Sequence, residues 1–337
     1  MFAFPVLLGD IGGTNARFAL LSEPQGTVEL LPRALTAATP SPAEAIAAAL
    51  RSSGGAAPRS AIIAVATRVD SPCIRLTNAE WTIDAAAIGA ALGLERVVLV
   101  NDYTPVAASV VALSAERGDL VSLGGDPAGA DGARVVLGPG TGLGAGALVP
   151  VEKRLAILAT EAGHMEFGPM HADEAAFWPH LERIGGGRVS GEAVLSGPGL
   201  LRIAGALAGA AGRPNPFAAP QEVFDAGRAG GDPAAAAALR IFARFLGRFA
   251  GDLALTFEAS GGVYIAGGIA PRMTEILRQG GEGGFRDAFD RKAPHDAWAR
   301  RVPVFVITHP EPALQGLAVL AADPARFVFR YQEWRRG

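Results

Sequence analysis

Val6-Leu7-Leu8-Gly9-Asp10-Ile11-Gly12-Gly13-Thr14-Asn15-Ala16-Arg17-Phe18-Ala19-Leu20-Leu21 decides the fold. Val6-Leu7-Leu8 reads as a buried strand and Phe18-Ala19-Leu20-Leu21 as a second, so the segment between them is a hairpin turn. It is too rich in glycine for packing alone, and Gly12 and Gly13 free the backbone to approach a ligand closely. Asp10 at the strand end can hold a hydrated cation, and Thr14 offers a hydroxyl and an amide to an anion. The combination suits a metal-bound polyphosphate. Far downstream, Gly138-Pro139-Gly140-Thr141-Gly142-Leu143-Gly144 follows the strand-like Arg134-Val135-Val136-Leu137 and precedes a second apolar stretch, residues 145–149. Two Gly- and Thr-rich hairpin loops suggest a nucleotide gripped from both sides.

Neither loop is a P-loop, which needs a lysine after its last glycine; the only lysines are Lys153 and Lys292. Gly140, Gly142 and Ala145 fit a dinucleotide-binding spacing, with Glu161 near the place of the ribose-binding acid. That motif must open a helix, however, and Ala145-Gly146-Ala147-Leu148-Val149-Pro150 reads as strand, with Pro150 set to break a young helix.

The 337 residues exceed one typical domain and suggest two, and half of them are hydrophobic, ample for sizeable cores. A net charge of −3 leaves no electrostatic footprint for nucleic acid. The single cysteine, Cys73, excludes an internal disulfide and a cysteine-based zinc cluster. The N-terminal apolar run is short and ends at Asp10 without a basic flank, unlike a signal peptide. No uninterrupted apolar span reaches 18 residues. The expectation is a cytoplasmic protein without membrane or nucleic-acid partners.

Strands and helices alternate. Ser41-Pro42-Ala43-Glu44 forms a capping box that opens a helix to about Arg51. A buried strand covers 61–66, a short helix runs from Asp84 to Leu92, and a second buried strand covers 97–100. Thr104-Pro105 starts a helix to about Leu113. Residues 124–127 read as a loop, and Asp232-Pro233 opens a long helix to about Phe257 with an apolar stripe. Strands at 263–266 and 302–308 and a helix opening at Pro312 follow. This alternation indicates α/β architecture with a partly parallel sheet.

Asn101-Asp102 sits at the end of the strand 97–100, where open α/β sheets bind ligands. Asp102 there reads either as a general base or as a turn or capping residue before Thr104-Pro105. Glu161-Ala162-Gly163-His164 sets an acid and an imidazole beside a glycine, and Glu192 opens a helix, where the helix dipole alone favours an acid. Acids and an amide converging on one place suit a sugar, since carboxylates accept from neighbouring hydroxyls and Asn101 both donates and accepts. His171, His180, His295 and His309 show no metal-ligand spacing.

These residues carry a resemblance. The motifs 9–17, Leu76-Thr77-Asn78 with Trp81, Asn101-Asp102, 138–144, 161–164 with Phe167, Val189-Ser190 with Glu192, 195–199, 264–272 and 285–292 resemble, in order and over nearly the whole chain, a bacterial glucokinase of the hexokinase-like group. That group lies within the actin, Hsp70 and sugar-kinase superfamily. The resemblance implies a two-domain actin-like ATPase (ribonuclease H-like) α/β fold with a central interdomain cleft. Its small domain would comprise 1–112 plus 314–337 and its large domain 113–313. Asp10, Gly12, Gly13, Thr14 and Asn15 resemble the first phosphate loop, Gly140, Thr141 and Gly142 the second, and Gly267-Gly268 the adenosine-binding turn. Asp102 resembles the catalytic base, and Asn101, Asp102, Glu161, His164 and Glu192 the glucose-binding residues. The single cysteine matches the zinc-free group. Pro139 and Ala162 depart from the family pattern without removing a functional side chain. Residues 66–72 lack the usual Pro-Val/Ile pairing.

The expected activity is ATP-dependent phosphorylation of glucose at the 6-hydroxyl, the opening reaction of glycolysis, with ATP and Mg²⁺ as cofactors. The cation would travel with ATP near Asp10, with none held tightly by the protein alone, and a homodimer is expected. Trp81 is expected near the sugar, as a fluorescent reporter of closure. Kinase action on another hexose, or a non-catalytic sugar sensor on the same fold, is the alternative; a DNA-binding regulator would need a head domain ahead of Asp10. An NAD-dependent dehydrogenase conflicts with the strand after Gly144.

Overall fold

A computed structural model describes residues 1–54, 56–76, 79–127, 129, 131–183 and 187–337. Thr77 and Asn78 of the Leu-Thr-Asn motif lie outside the described residues. The chain falls into two compact units. One comprises Met1–Ser114, Gly146–Ala159 and His309–Gly337, the other Ala115–Ala145 and Thr160–Thr308. Beside the expected limits of 112 and 314, this division also assigns the excursion 146–159 to the first unit.

The first unit is built on a sheet whose strands run, in spatial order, Gln332–Arg335, Arg96–Asn101, Ser60–Val65, Val6–Ile11, Asn15–Leu21 and Val28–Leu30. The three central strands are parallel and in register, Asp10 opposite Ala64 and Ala64 opposite Val100, so their carboxyl ends form one edge. Val6–Ile11 and Asn15–Leu21 form the expected hairpin, antiparallel with Ile11 opposite Ala16. Every residue of Ser60–Val65 is buried, as a continuous apolar run in a parallel sheet requires.

The helix starts follow local chemistry. Ser41 Oγ accepts from Glu44 N–H at 3.2 Å ahead of the helix Pro42–Ser53, which ends at Gly54 in the left-handed region. Asp84 accepts from Ala86 and Ala87 ahead of Ala85–Leu92, closed by Gly93 at φ 71°. The helix expected from Thr104 to Leu113 is shorter, Tyr103–Ser109. Beyond it, Ser109 Oγ donates to the Val106 carbonyl, and Ala112 N–H donates to Ser109 in a tight i to i−3 turn that ends the regular ladder.

Helix Pro312–Ala322 packs on Tyr103–Ser109 through Gly316, where a Cβ would lie 1.7 Å from the Pro105 carbonyl oxygen. Backbone cannot give way as a flexible side chain can. Gly316→Ala is expected to destabilise the protein by about 1–3 kcal/mol or more by overpacking, read as a lowered thermal midpoint; an unchanged midpoint would contradict this packing.

Trp81 differs from expectation. It is 2% exposed in the apolar core of the first unit, and its indole Nε1 donates to the Thr39 carbonyl at 2.7 Å. It is a fixed core residue, and the physical reason is an apolar ring whose one polar atom is already satisfied.

The second unit contains the parallel strands Arg134–Pro139, Gly262–Ile265 and Val304–Ile307, with Leu120–Gly124 antiparallel to the last. Helix Pro233–Phe257 begins where expected. Asp232 accepts from Ala234 and Ala235 at 2.8 and 2.9 Å, and Phe242, Phe245, Leu246 and Phe249 line its buried face. The strand Leu143–Val151 follows the second glycine loop directly, so no helix opens there and the dinucleotide-binding reading fails.

Candidate active site

In the first unit the hairpin turn is held shut by backbone bonds: Gly12 N–H donates to Asn15 at 3.0 Å, and Thr36 N–H to Thr14 at 3.1 Å. Buried Thr36 also donates its hydroxyl to the Gly13 carbonyl at 2.6 Å, leaving the Thr14 and Asn15 side chains exposed. Asp10, 17% exposed, receives Arg17 Nη1 at 3.3 Å. Burial pushes its carboxyl above the ordinary carboxylate range. Arg17 pulls against that and Glu311 adds to it. Glu311 is itself buried, faces Arg17 Nε at 3.6 Å and pairs with Arg33.

Asp10 therefore keeps lone pairs beyond its single long contact with Arg17, which fits an outer-sphere hold on a hydrated Mg²⁺. Sequence reasoning assigned no role to Arg17 and missed Glu311 altogether. The proline after it was legible as a helix start; the acid carried no signal until the fold set it against Arg17.

Asn101 closes its strand, with Val65 opposite it in the neighbouring strand. Its side chain is half committed to the backbone: Nδ2 donates to the Thr67 carbonyl at 3.1 Å, and Oδ1 accepts from Tyr103 N–H at 2.9 Å. One amide hydrogen and one lone pair remain. Asp102 follows. Its N–H donates to the Val65 carbonyl at 3.1 Å, and its side chain makes no capping hydrogen bond to the helix it precedes. The capping alternative is thus not realised. The register of the central strands places Asp10 two strands from Val100, about 10 Å across the same sheet edge.

In the second unit, the loop at 140–142 is closed by Gly140 N–H donating to the Gly142 carbonyl at 2.8 Å, with Thr141 exposed. Gly197 N–H, at the start of helix Gly197–Ala210, donates to the Gly140 carbonyl at 2.8 Å. Gly267 stands against this loop at φ 82°. A Cβ there would lie 2.4 Å from the Pro139 carbonyl oxygen, so only glycine fits. Gly140 and Gly268 are open: a Cβ on the first meets nothing nearer than 4.0 Å, and on the second nothing within 4 Å. Bare backbone facing open space suits phosphates and a nucleoside.

Gly140→Val is accordingly expected to fold normally but to raise the KM for ATP about tenfold or more, the scale of losing a charge-assisted hydrogen bond. An unchanged ATP KM and kcat in the folded variant would remove this loop from nucleotide binding.

The sugar-type residues of the second unit are brought together. Glu161 and His164 lie on one turn, with Oε2 and Nε2 3.7 Å apart and both side chains more than half exposed. A buried structural histidine is thereby excluded. Gly163 between them packs where a Cβ would lie 2.0 Å from the Leu143 carbonyl oxygen. Gly191 N–H donates to Met165 at 2.9 Å and Phe167 N–H to Val189 at 2.9 Å, lacing the segment after His164 to the one before Glu192. Glu192 Oε2 accepts from Leu143 N–H, the first amide after the second loop, at 2.8 Å.

Known proteins resemble this chain over most of its length. The family profile described as Glucokinase matches residues 7–324. A glucokinase of Mesorhizobium japonicum is 44% identical over 324 residues, covering 96% of this chain and 93% of its own. One of Sinorhizobium medicae is 40% identical over 337 residues, covering 99% and 98%. Among solved structures, a glucokinase from an Antarctic psychrotroph superposes with a TM-score of 0.82 at 30% identity, covering 95% of this chain and 99% of that one. A Balamuthia mandrillaris glucokinase in complex with glucose reaches 0.78 at 21% identity, covering 94% and 93%, which speaks to the fold alone. The fold is the actin-like ATPase fold of the sugar kinases.

Proposed function

The chain belongs to the glucokinase family, and on that premise we propose that it transfers the terminal phosphoryl group of ATP to the 6-hydroxyl of D-glucose. One observation carries the reading beyond the family. The sugar-type acid Glu192 and the phosphate-type loop at 140–142 are joined by a single hydrogen bond, Leu143 N–H to Oε2 at 2.8 Å. A site that must set a hydroxyl against a phosphate needs those two parts in contact.

Phosphoryl transfer asks for positioning and charge stabilisation rather than covalent catalysis. Asp102 accepts the proton of the 6-hydroxyl as the oxygen attacks. Asn101, Glu161, His164 and Glu192 orient the sugar through its other hydroxyls. Backbone amides at 13–14 and 141–142 hold the phosphates, in loops closed by the Gly12 and Gly140 N–H bonds, and Gly267-Gly268 admits the nucleoside. Mg²⁺ entering with ATP would neutralise charge on the phosphates, held through water by Asp10. Of the described residues, no helix is long and apolar enough to cross a membrane. We further propose a cytoplasmic homodimer acting at the first step of glycolysis.

A coupled ADP-release assay across hexoses tests the reading. Glucose is expected to exceed galactose and fructose in kcat/KM by about 10²-fold or more, because the wrong sugar leaves the site's hydroxyl-reading groups unpaired. Comparable values for all three would show that these residues do not form a specificity site. Sugar binding without ADP release would leave a sensor.

A further inference from the structure

We infer that Gly142 and the Leu143 amide, both belonging to the nucleotide-side loop, fix the carboxylate of Glu192 and thereby set sugar affinity even when no nucleotide is bound. The inference rests on the sugar role proposed for Glu192 and adds what holds that side chain in place.

Glu192 sits in the short helix Gly191–Val194, between the Ser190 and Ser196 caps. Its backbone is tightly held: Ser196 Oγ donates to the Glu192 carbonyl at 2.8 Å, and Ala193 N–H donates to Ser190 Oγ at 3.3 Å. The end of the side chain is held differently. Oε2 takes the Leu143 N–H at 2.8 Å, an ion-to-amide bond of the stronger kind. The same oxygen lies 2.5 Å from where a Cβ on Gly142 would stand, and the carboxylate carbon 3.3 Å from it. The space occupied by the carboxylate is therefore the space of the missing side chain. Oε1 lies 3.9 Å from that point. With Oε2 committed to the loop, Oε1 is the oxygen left to read a hydroxyl.

A methyl group at position 142 displaces Oε2 rather than the chain. The three nearest atoms beyond the adjacent residues all belong to the Glu192 carboxylate, the far end of a flexible side chain, and Gly142 is not in the left-handed region, so alanine is accommodated there by moving that side chain. Gly142→Ala should fold and yet misplace a side chain 50 residues downstream. At Gly140 a Cβ meets only the Gly142 carbonyl at 4.0 Å and does not approach Glu192.

Calorimetric titration of glucose into nucleotide-free protein tests this. Gly142→Ala is expected to weaken glucose binding about tenfold or more, the scale of one charge-assisted hydrogen bond, with thermal stability close to wild type. Gly140→Ala should bind glucose within about twofold of wild type, whatever it does to nucleotide use. In a Glu192→Ala background, which has already lost the carboxylate, Gly142→Ala should cause no further loss. Wild-type glucose affinity in Gly142→Ala would overturn the inference while leaving the glucokinase reading intact. So would an equal loss in the presence and absence of the Glu192 carboxylate. Failure of the wild-type protein itself to bind glucose would instead overturn the reading on which the inference rests.

Discussion

Asp102→Asn lowers turnover by about 10²–10⁴-fold while sparing glucose binding, the expected result of removing a general base and keeping its shape. The backbone around Asp102 is held by its N–H, bonded to Val65, and by the Asn101 side chain bridging Thr67 and Tyr103, and its carboxylate does not cap the helix that follows. An amide can take the same rotamer and still hydrogen-bond a hydroxyl, but it cannot accept the proton. The loss should therefore appear in kcat, measured in a single turnover, with the calorimetric Kd for glucose near wild type. Wild-type-like turnover in the folded variant would remove Asp102 from the chemistry.

The second large effect is on stability. Glu174 is fully buried, and its Oε2 accepts from Met170 N–H at 2.7 Å and faces Arg248 Nη1 at 3.3 Å; its Oε1 lies 2.8 Å from Arg244 Nε. Arg248 projects from the middle of Pro233–Phe257, lies over the Phe167 ring at 3.9 Å and donates to the Gly168 carbonyl. Burial holds the Arg248 guanidinium below its ordinary range, with Glu174 opposing that shift. Removing one partner of a buried pair leaves the other charge uncompensated, at about 3–5 kcal/mol.

Glu174→Ala takes the paired carboxylate from Arg248 and leaves Arg244 with Asp173 alone at 2.7 Å, whereas Arg248→Met leaves Glu174 with Arg244. The glutamate variant is therefore expected to be the worse, with a thermal midpoint lower by roughly 10 °C. A loss equivalent to under about 1 kcal/mol, the range of an exposed pair, would show that water reaches this cluster.

Local chemistry made much of this molecule readable in advance. Ser41, Asp84 and Asp232 each announce a helix because capping is settled within three residues. The two glycine loops announce themselves because only glycine permits such backbone approach. What stayed hidden depends on residues distant in the chain. Strand Gln332–Arg335 carries mostly polar and charged side chains and has no apolar alternation; it exists because it pairs with Arg96–Asn101 and sets Trp334 over Gly89. Glu311 matters only beside Arg17, and Gly142 gains its second meaning only where Glu192 fills its vacant side-chain space. Trp81 misled because its place near a sugar-site motif in sequence said nothing of which way the indole turns; its packing in the core decides that.

The central claim is that this chain joins a phosphate to carbon 6 of glucose. Incubation with ATP, Mg²⁺ and ¹³C-labelled glucose, followed by ³¹P and ¹³C NMR, tests it most directly. The predicted result is one ADP for each sugar phosphate, with phosphorus coupled to carbon 6. Unchanged glucose, or phosphate on any other carbon, would contradict the claim.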